Sequence, residues 1–270
     1  MIRKQISKTQ RVVLGVACVV LLLGIYSYKS HEQHQKNAKD RTVPSLKQIW
    51  THGVFKSFEL DDLSEERPAQ ADSAATFRNL FLGLFFSIVI GGPLGILIGC
   101  FRPVEAFFLP SMTFLAKIPP TAAMAVFMVF VGTHETWLFV SIVCFGIIPT
   151  FAMSVQLAVH DVPDENLFKA QTLGASTCEI VWNVIFKQIL PKIIDSIRLQ
   201  IGPAMVFIMA AELFMANVGY GYTIRILTRR SNMEIVYFYL ILLGTFGCLM
   251  DWALRLLSKK LCPWYTKEGR

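Results

Sequence analysis

Six apolar runs divide the chain: Val12–Tyr28, Thr76–Phe101, Pro110–Val131, Trp137–Ala158, Ile193–Ala216 and Ile235–Leu257. A helix crossing a bilayer needs roughly 20 apolar residues, so these runs predict an all-α integral membrane protein with about six transmembrane helices. The polar stretches between them carry their own signals. Residues 29–75 are polar and mixed in charge, with an acidic patch at Glu59, Asp61, Asp62, Glu65 and Glu66. Within them Val43–Phe58 places apolar residues at helical spacing, which predicts an interfacial helix. Residues 161–191 form a polar but structured interruption between the fourth and fifth runs. Pro163, Asp164 and Glu165 favour a helix start there, Gly174 allows a sharp turn, and Leu173, Ile180, Val181 and Val184 predict an apolar stripe.

Several spans carry breaks or charges. Gly91, Gly95 and Gly99, with Gly92 beside them, put small residues on nearly one face of the second span, which predicts close helix approach. Pro93 and Pro149 predict kinks tolerated inside a bundle. Ile118-Pro119-Pro120 removes two adjacent amide donors and predicts irregular backbone near one end of the third span. Asp195 and Arg198, three residues apart, predict a helical ion pair. Glu212 lies deeper in the fifth span. An ionisable group at that depth is either a pathway group or a structural hydrogen-bonding partner, and Glu212, Pro119 and Pro120 are the candidate solute-pathway residues. A carboxylate facing the pathway would suit a cationic or amine-bearing solute.

Composition agrees with the pattern: 54% of the residues are hydrophobic and 17% charged. The formal charge of +7 comes mainly from residues between and beyond the apolar runs, so it predicts membrane anchoring and membrane-lipid contact, with no nucleic acid as partner. Arg3, Lys4, Lys8 and Arg11 place the N-terminus in the cytoplasm, and Lys259, Lys260, Lys267 and Arg270 do the same for the C-terminus. Arg225, Arg229 and Arg230 then lie outside, against that trend. No small-residue cleavage site follows Tyr28, so the first run reads as an uncleaved span. The organisation is then an N-terminal helix over 1–28, an extracytoplasmic segment over 29–75, a core over 76–258 and a cytoplasmic tail over 259–270. Spans two to five make the core, with spans one and six peripheral.

The six cysteines include no CxxC pair, and His31, His34 and His52 fall in a polar loop, so no metal site and no cofactor are predicted. The chain has no GxxxxGK[ST], HExxH or GxSxG motif, and no catalytic residue is assigned. The reading is transport rather than catalysis.

The segment Lys169-Ala170-Gln171-Thr172-Leu173-Gly174-Ala175-Ser176, followed by Leu190-Pro191, resembles the cytoplasmic coupling loop of ABC-importer permeases. Ile118-Pro119-Pro120-Thr121-Ala122, Ile197-Arg198-Leu199, Ala211-Glu212 and Gly219-Tyr220-Gly221 extend the resemblance, from about Thr76 onward, to the nitrate/taurine/sulfonate class with its type I importer fold. The stretch 169–177, the stretch 197–204 and Cys262-Pro263-Trp264-Tyr265 look most like permeases found with urea-carboxylase systems. The resemblance departs at the loop's opening, where Phe168-Lys169-Ala170 stands for Glu-Ala-Ala, and at Phe186-Lys187, which stands for the first Leu-Pro. Lys187 there restores a backbone donor and can lengthen the helix.

The resemblance implies the permease subunit of an ATP-driven importer for a small polar solute, among nitrate, sulfonates, taurine and urea- or guanidine-like compounds. It implies a multi-pass protein of the inner (plasma) membrane, working with separate ABC ATPase subunits, an extracytoplasmic solute-binding protein and a second permease copy in a homodimer. Lys169, Ala170, Leu173, Gly174, Ala175, Leu190 and Pro191 are the implied ATPase-coupling residues. The competing reading is a secondary transporter or channel without an ATPase, which the lack of an inverted repeat disfavours.

Overall fold

A computed structural model describes residues 7–36, 42–59, 68–132 and 135–265, and every described element is helical. Most of the acidic patch, Asp61 to Glu66, lies outside the described residues. Five helices are long and apolar enough to cross a membrane: 9–36, 68–100, 136–160, 177–215 and 233–261. The chain divides into two units, 1–69 with 224–241 and 70–223 with 242–270.

In the first unit, α1 (Lys8–Lys36) runs for 29 residues, past the predicted end at Tyr28. Its apolar side chains from Val12 to Ile25 are exposed, as a helix facing lipid requires. At its far end Tyr26 Oη donates to Pro44 O (2.6 Å) and Ser30 Oγ to Val43 O (3.1 Å), which ties down the following chain. The helix predicted over this stretch is present as α2 (Leu46–Gln48), a π-helical stretch (Ile49–Val54) and α3 (Phe55–Phe58). Ser45 opens it with a capping box closed by Gln48, satisfying two orphan amide groups. A Cβ on Gly53 would lie 2.9 Å from the Glu234 carbonyl, so only glycine lets this helix meet the backbone of residues 233–241.

The second unit is the bundle. Helix α4 (Pro68–Cys100) starts two turns earlier than its apolar run, because those turns carry polar side chains used elsewhere in the bundle. Its glycines meet α7 (Glu135–His160). A Cβ would come 2.7 Å from Val143 at Gly83, 3.0 Å from Phe151 at Gly91, 2.7 Å from Val155 at Gly95 and 2.6 Å from Val159 at Gly99. The partner numbers rise together, so the two helices run parallel, and the glycines set their spacing. Most of the α7 apolar window is buried, whereas α4 and the 177–215 helix each bury about four tenths of theirs, and the last helix, α12 (Met233–Leu261), less still. The centre of the core is thus Phe139, Ile142, Val143, Ile147, Phe151 and Val155.

The third run is not one helix. α5 (Arg102–Leu115) and α6 (Met124–Val131) flank a turn over 116–123, as two adjacent prolines without amide donors demand. The fifth run also differs from its expected bounds. α8 (Asp164–Thr172) is separate, but α9 (Thr177–Glu179), a π-helical stretch (Ile180–Ile185) and α10 (Phe186–Met215) form one helix of 39 residues. Pro191 and Pro203 sit inside it. The second half of the polar interruption is therefore continuous with a membrane-length helix, with Lys187 supplying the amide that a proline would lack.

Candidate functional site

The turn between α8 and α9 is closed by its own backbone. Gly174 N donates to Gln171 O (2.9 Å) and Ala175 N to Ala170 O (3.1 Å), the paired bonds of a Schellman cap. Gly174 occupies the left-handed position with φ +80°, where a side chain is strained even though the space around it is open. Two residues later Ser176 caps the next helix. Its amide and hydroxyl both donate to Glu179 Oε2 (2.8 Å each), and Glu179 N donates back to Ser176 Oγ (3.4 Å). A C-cap and a capping box thus meet within four residues, so the backbone of the turn is satisfied by its own groups.

The base of the turn is pinned. Lys192 Nζ donates to Asp161 Oδ2 at 2.8 Å, and this ammonium holds the Asp161 carboxyl below the usual carboxylate range. Ala170 and Ala175 pack back onto the core. Lys169 and Leu173 point outward, Leu173 with 87% of its surface exposed. The predicted apolar stripe is divided: Ile180 is buried in the bundle, Val181 and Val184 pack against it, and Leu173 alone stays free. Two aromatics outside that stripe, Phe168 and Trp182, are also exposed. Trp182 stacks on Phe186 at 4.9 Å. Leu190 and Pro191 do not share this exposed surface. Both lie within α10, and Pro191 is buried, because the helix continues through them into the membrane.

The candidate pathway residues are not gathered in one place. In the 116–123 turn Pro119 is exposed and Pro120 buried. The Pro120 ring and Phe207 of α10 close on Gly146 of α7, leaving no room for a Cβ there. Glu212 is completely buried. Its Oε2 accepts from Thr76 Oγ1 (3.0 Å) and Gly221 N (2.9 Å). Thr76 Oγ1 accepts from Tyr220 N (3.0 Å), and Asp72 accepts from Gly219 N (2.9 Å) and Thr223 Oγ1 (2.7 Å). Gly219, with φ +126°, leaves no space for a Cβ beside the Glu212 carboxyl. Glu212 Oε2 is thus a peg that fixes the chain after α10 to the first turns of α4, while the buried Oε1 of the same carboxyl has no hydrogen-bond partner among the described residues. Asp72 and Thr76 belong to that peg, and only their partners, more than 130 residues away, reveal it.

A second polar group joins α10 to α12. The predicted Asp195–Arg198 pair is present at 2.7 Å. Arg198 Nε also donates to Asp251 (2.7 Å), which in turn accepts from Arg255 (2.7 Å). Among the described residues no group of His, Cys, Asp or Glu is arranged to hold a metal ion.

This arrangement can be set beside known proteins. Residues 91–262 match the family of binding-protein-dependent transport system inner membrane components. The chain is 28% identical over 192 residues to the taurine transport system permease protein TauC of Escherichia coli (strain K12), covering 71% of this chain and 70% of that protein. It is 25% identical over 189 residues to the nitrate import permease protein NrtB of Synechocystis sp. (strain ATCC 27184 / PCC 6803 / Kazusa), covering 70% and 68%. The fold is similar to that of a chain of the MetNI methionine ABC transporter in an inward-facing conformation, with TM-score 0.64, 19% identity, and 72% and 95% of the two chains covered. The chain belongs to the family of binding-protein-dependent transport system inner membrane components, as a transport permease subunit.

Proposed function

We propose that α8, the Leu173–Ser176 turn and the first turns of the 177–215 helix form the surface that an ABC ATPase subunit grips. The observation that carries this reading is the turn itself. Its backbone is satisfied locally, so Phe168, Lys169, Leu173 and Trp182 stay exposed on a rigid frame. Exposed apolar side chains on a short helix fit a groove on a partner. Because the same helix enters the membrane, a displacement of the turn by the ATPase reaches the span without an intervening hinge. Two copies of the chain would enclose the pathway, with both termini and the coupling turn in the cytoplasm, and a solute-binding protein would deliver from the other side.

The solute we propose is a small oxyanion-bearing molecule. The relatives named for taurine and nitrate support this class, and the engagement of Glu212 Oε2 by Thr76 and Gly221 favours a bridging role for this carboxylate over contact with a cationic solute. Purification of the tagged chain from its native host in mild detergent tests the reading. An ATPase subunit should accompany it, and uptake of the solute by reconstituted vesicles should require ATP. A chain that emerges alone and moves solute without ATP would overturn it.

A further inference from the structure

We propose that the groove between α10 and α12 binds an anionic phospholipid, with the phosphate held by Arg255 and Lys259. Two cavities of about 530 Å³ each adjoin there and share Arg198, Trp252 and Arg255. One is lined by Ile201, Gly202, Met205, Leu243, Gly244 and Gly247. Gly202 and Gly244 have open space where a Cβ would stand, so this half is a smooth apolar trough wide enough for an acyl chain. The other is polar, with Ser258, Lys259 and Tyr265 beside Arg255.

The charges decide what kind of guest fits. Arg198 is neutralised between Asp195 and Asp251. Arg255 spends one nitrogen on Asp251 and is 47% exposed. The lining therefore holds three cations against two carboxylates, and its excess positive charge sits with Arg255 and Lys259, one helical turn apart. The level also fits. Leu249, Trp252, Leu256 and Leu257 on the same helix are exposed as lipid-facing residues, and Lys259, Lys260 and Trp264 mark the end of the span as a membrane–water boundary. A purely apolar guest would leave the cations unused. A small soluble anion would leave the trough facing hydrocarbon empty. A phospholipid fills both halves, and basic pockets between helices at an interface are suited to anionic headgroups.

The full-length chain in lipid nanodiscs provides the test, with Trp252 as reporter, its emission isolated by comparison with Trp252→Phe. Brominated phosphatidylglycerol should quench Trp252 more strongly than brominated phosphatidylcholine. Arg255→Gln combined with Lys259→Gln should weaken that preference roughly tenfold while leaving the elution volume of the protein unchanged. Gly244→Leu, which fills the trough from an open position, should lower quenching by either lipid. Added inorganic phosphate should not alter the preference. Equal quenching by the two lipids, a preference that survives the double substitution, or one abolished by free phosphate would each overturn the proposal. So would the absence of quenching by any lipid, which would mean that protein, such as a second copy of the chain, covers the groove.

Discussion

The long helix over 177–215 is held at its two ends in opposite ways. At one end, the Leu173–Ser176 turn is closed by bonds between residues no more than five apart. At the other, Gly219, Tyr220 and Gly221 are held by Asp72, Thr76 and Glu212, two of which come from a helix distant in sequence. A turn satisfied locally leaves its side chains free for a partner and can move as a piece. A turn satisfied by the core cannot shift unless buried polar groups lose their bonds. The difference supports the proposed roles of the two ends, one a handle and the other an anchor.

Replacing the anchor should have the largest effect. Glu212→Leu leaves Thr76 and Gly221 N–H without their acceptor in a buried site, and should cost about 3 kcal/mol of stability, read as a lowered unfolding midpoint in detergent. Glu212→Gln keeps an acceptor at the Oε2 position and should leave both the midpoint and solute uptake near those of the parent. A large uptake defect in a stable Glu212→Gln protein would return this residue to the pathway. Thr76→Val comes next. It strips a donor from Glu212 and an acceptor from Tyr220, for a loss of about 2 kcal/mol.

The handle should respond locally. Gly174→Ala places a side chain at φ +80°, a strain of about 1 kcal/mol or slightly more. Hydrogen exchange of the Ala175 amide should then accelerate roughly tenfold, with the unfolding midpoint little changed. Ser176→Ala removes the cap at a cost of about 1 kcal/mol, read in the same way at Glu179 N–H. The smallest effect belongs to Asp161. Its carboxyl is held low by Lys192, so the contribution is complete above the unfolded carboxylate value of about 3.9 and is lost as pH falls through the lower folded value. The protection of amides at the start of α8, relative to their intrinsic exchange rates, should therefore be flat from neutral pH to about 5 and should fall only in stronger acid.

What the sequence makes legible follows the same division. The helix start at Pro163–Glu165, the turn at Gly174 and the break at Pro119–Pro120 each depend on residues close together in the chain, and each is where the pattern puts it. The continuity of the helix through Pro191 was less evident, since proline is tolerated within a membrane bundle that satisfies the freed carbonyl elsewhere. For Glu212 the sequence leaves a pathway role and a structural hydrogen bond both open, and its partners are not legible. A lone carboxylate in an apolar run looks functional until Thr76 and Gly221 are seen beside it. Asp251 and Arg255 likewise gain meaning only when α12 lies against Arg198. The glycine stripe of α4 was readable as a packing face, but its partner α7 and their parallel direction were not.

The measurement that tests this account most directly is capture of the ATPase subunit by the Leu173→Asp protein. Leu173 is almost fully exposed and supports nothing in the bundle, so the substituted chain should elute and unfold like the parent while losing the ATPase and ATP-dependent uptake. A Leu173→Asp protein that keeps its ATPase and transports normally would contradict the assignment of this turn as the handle.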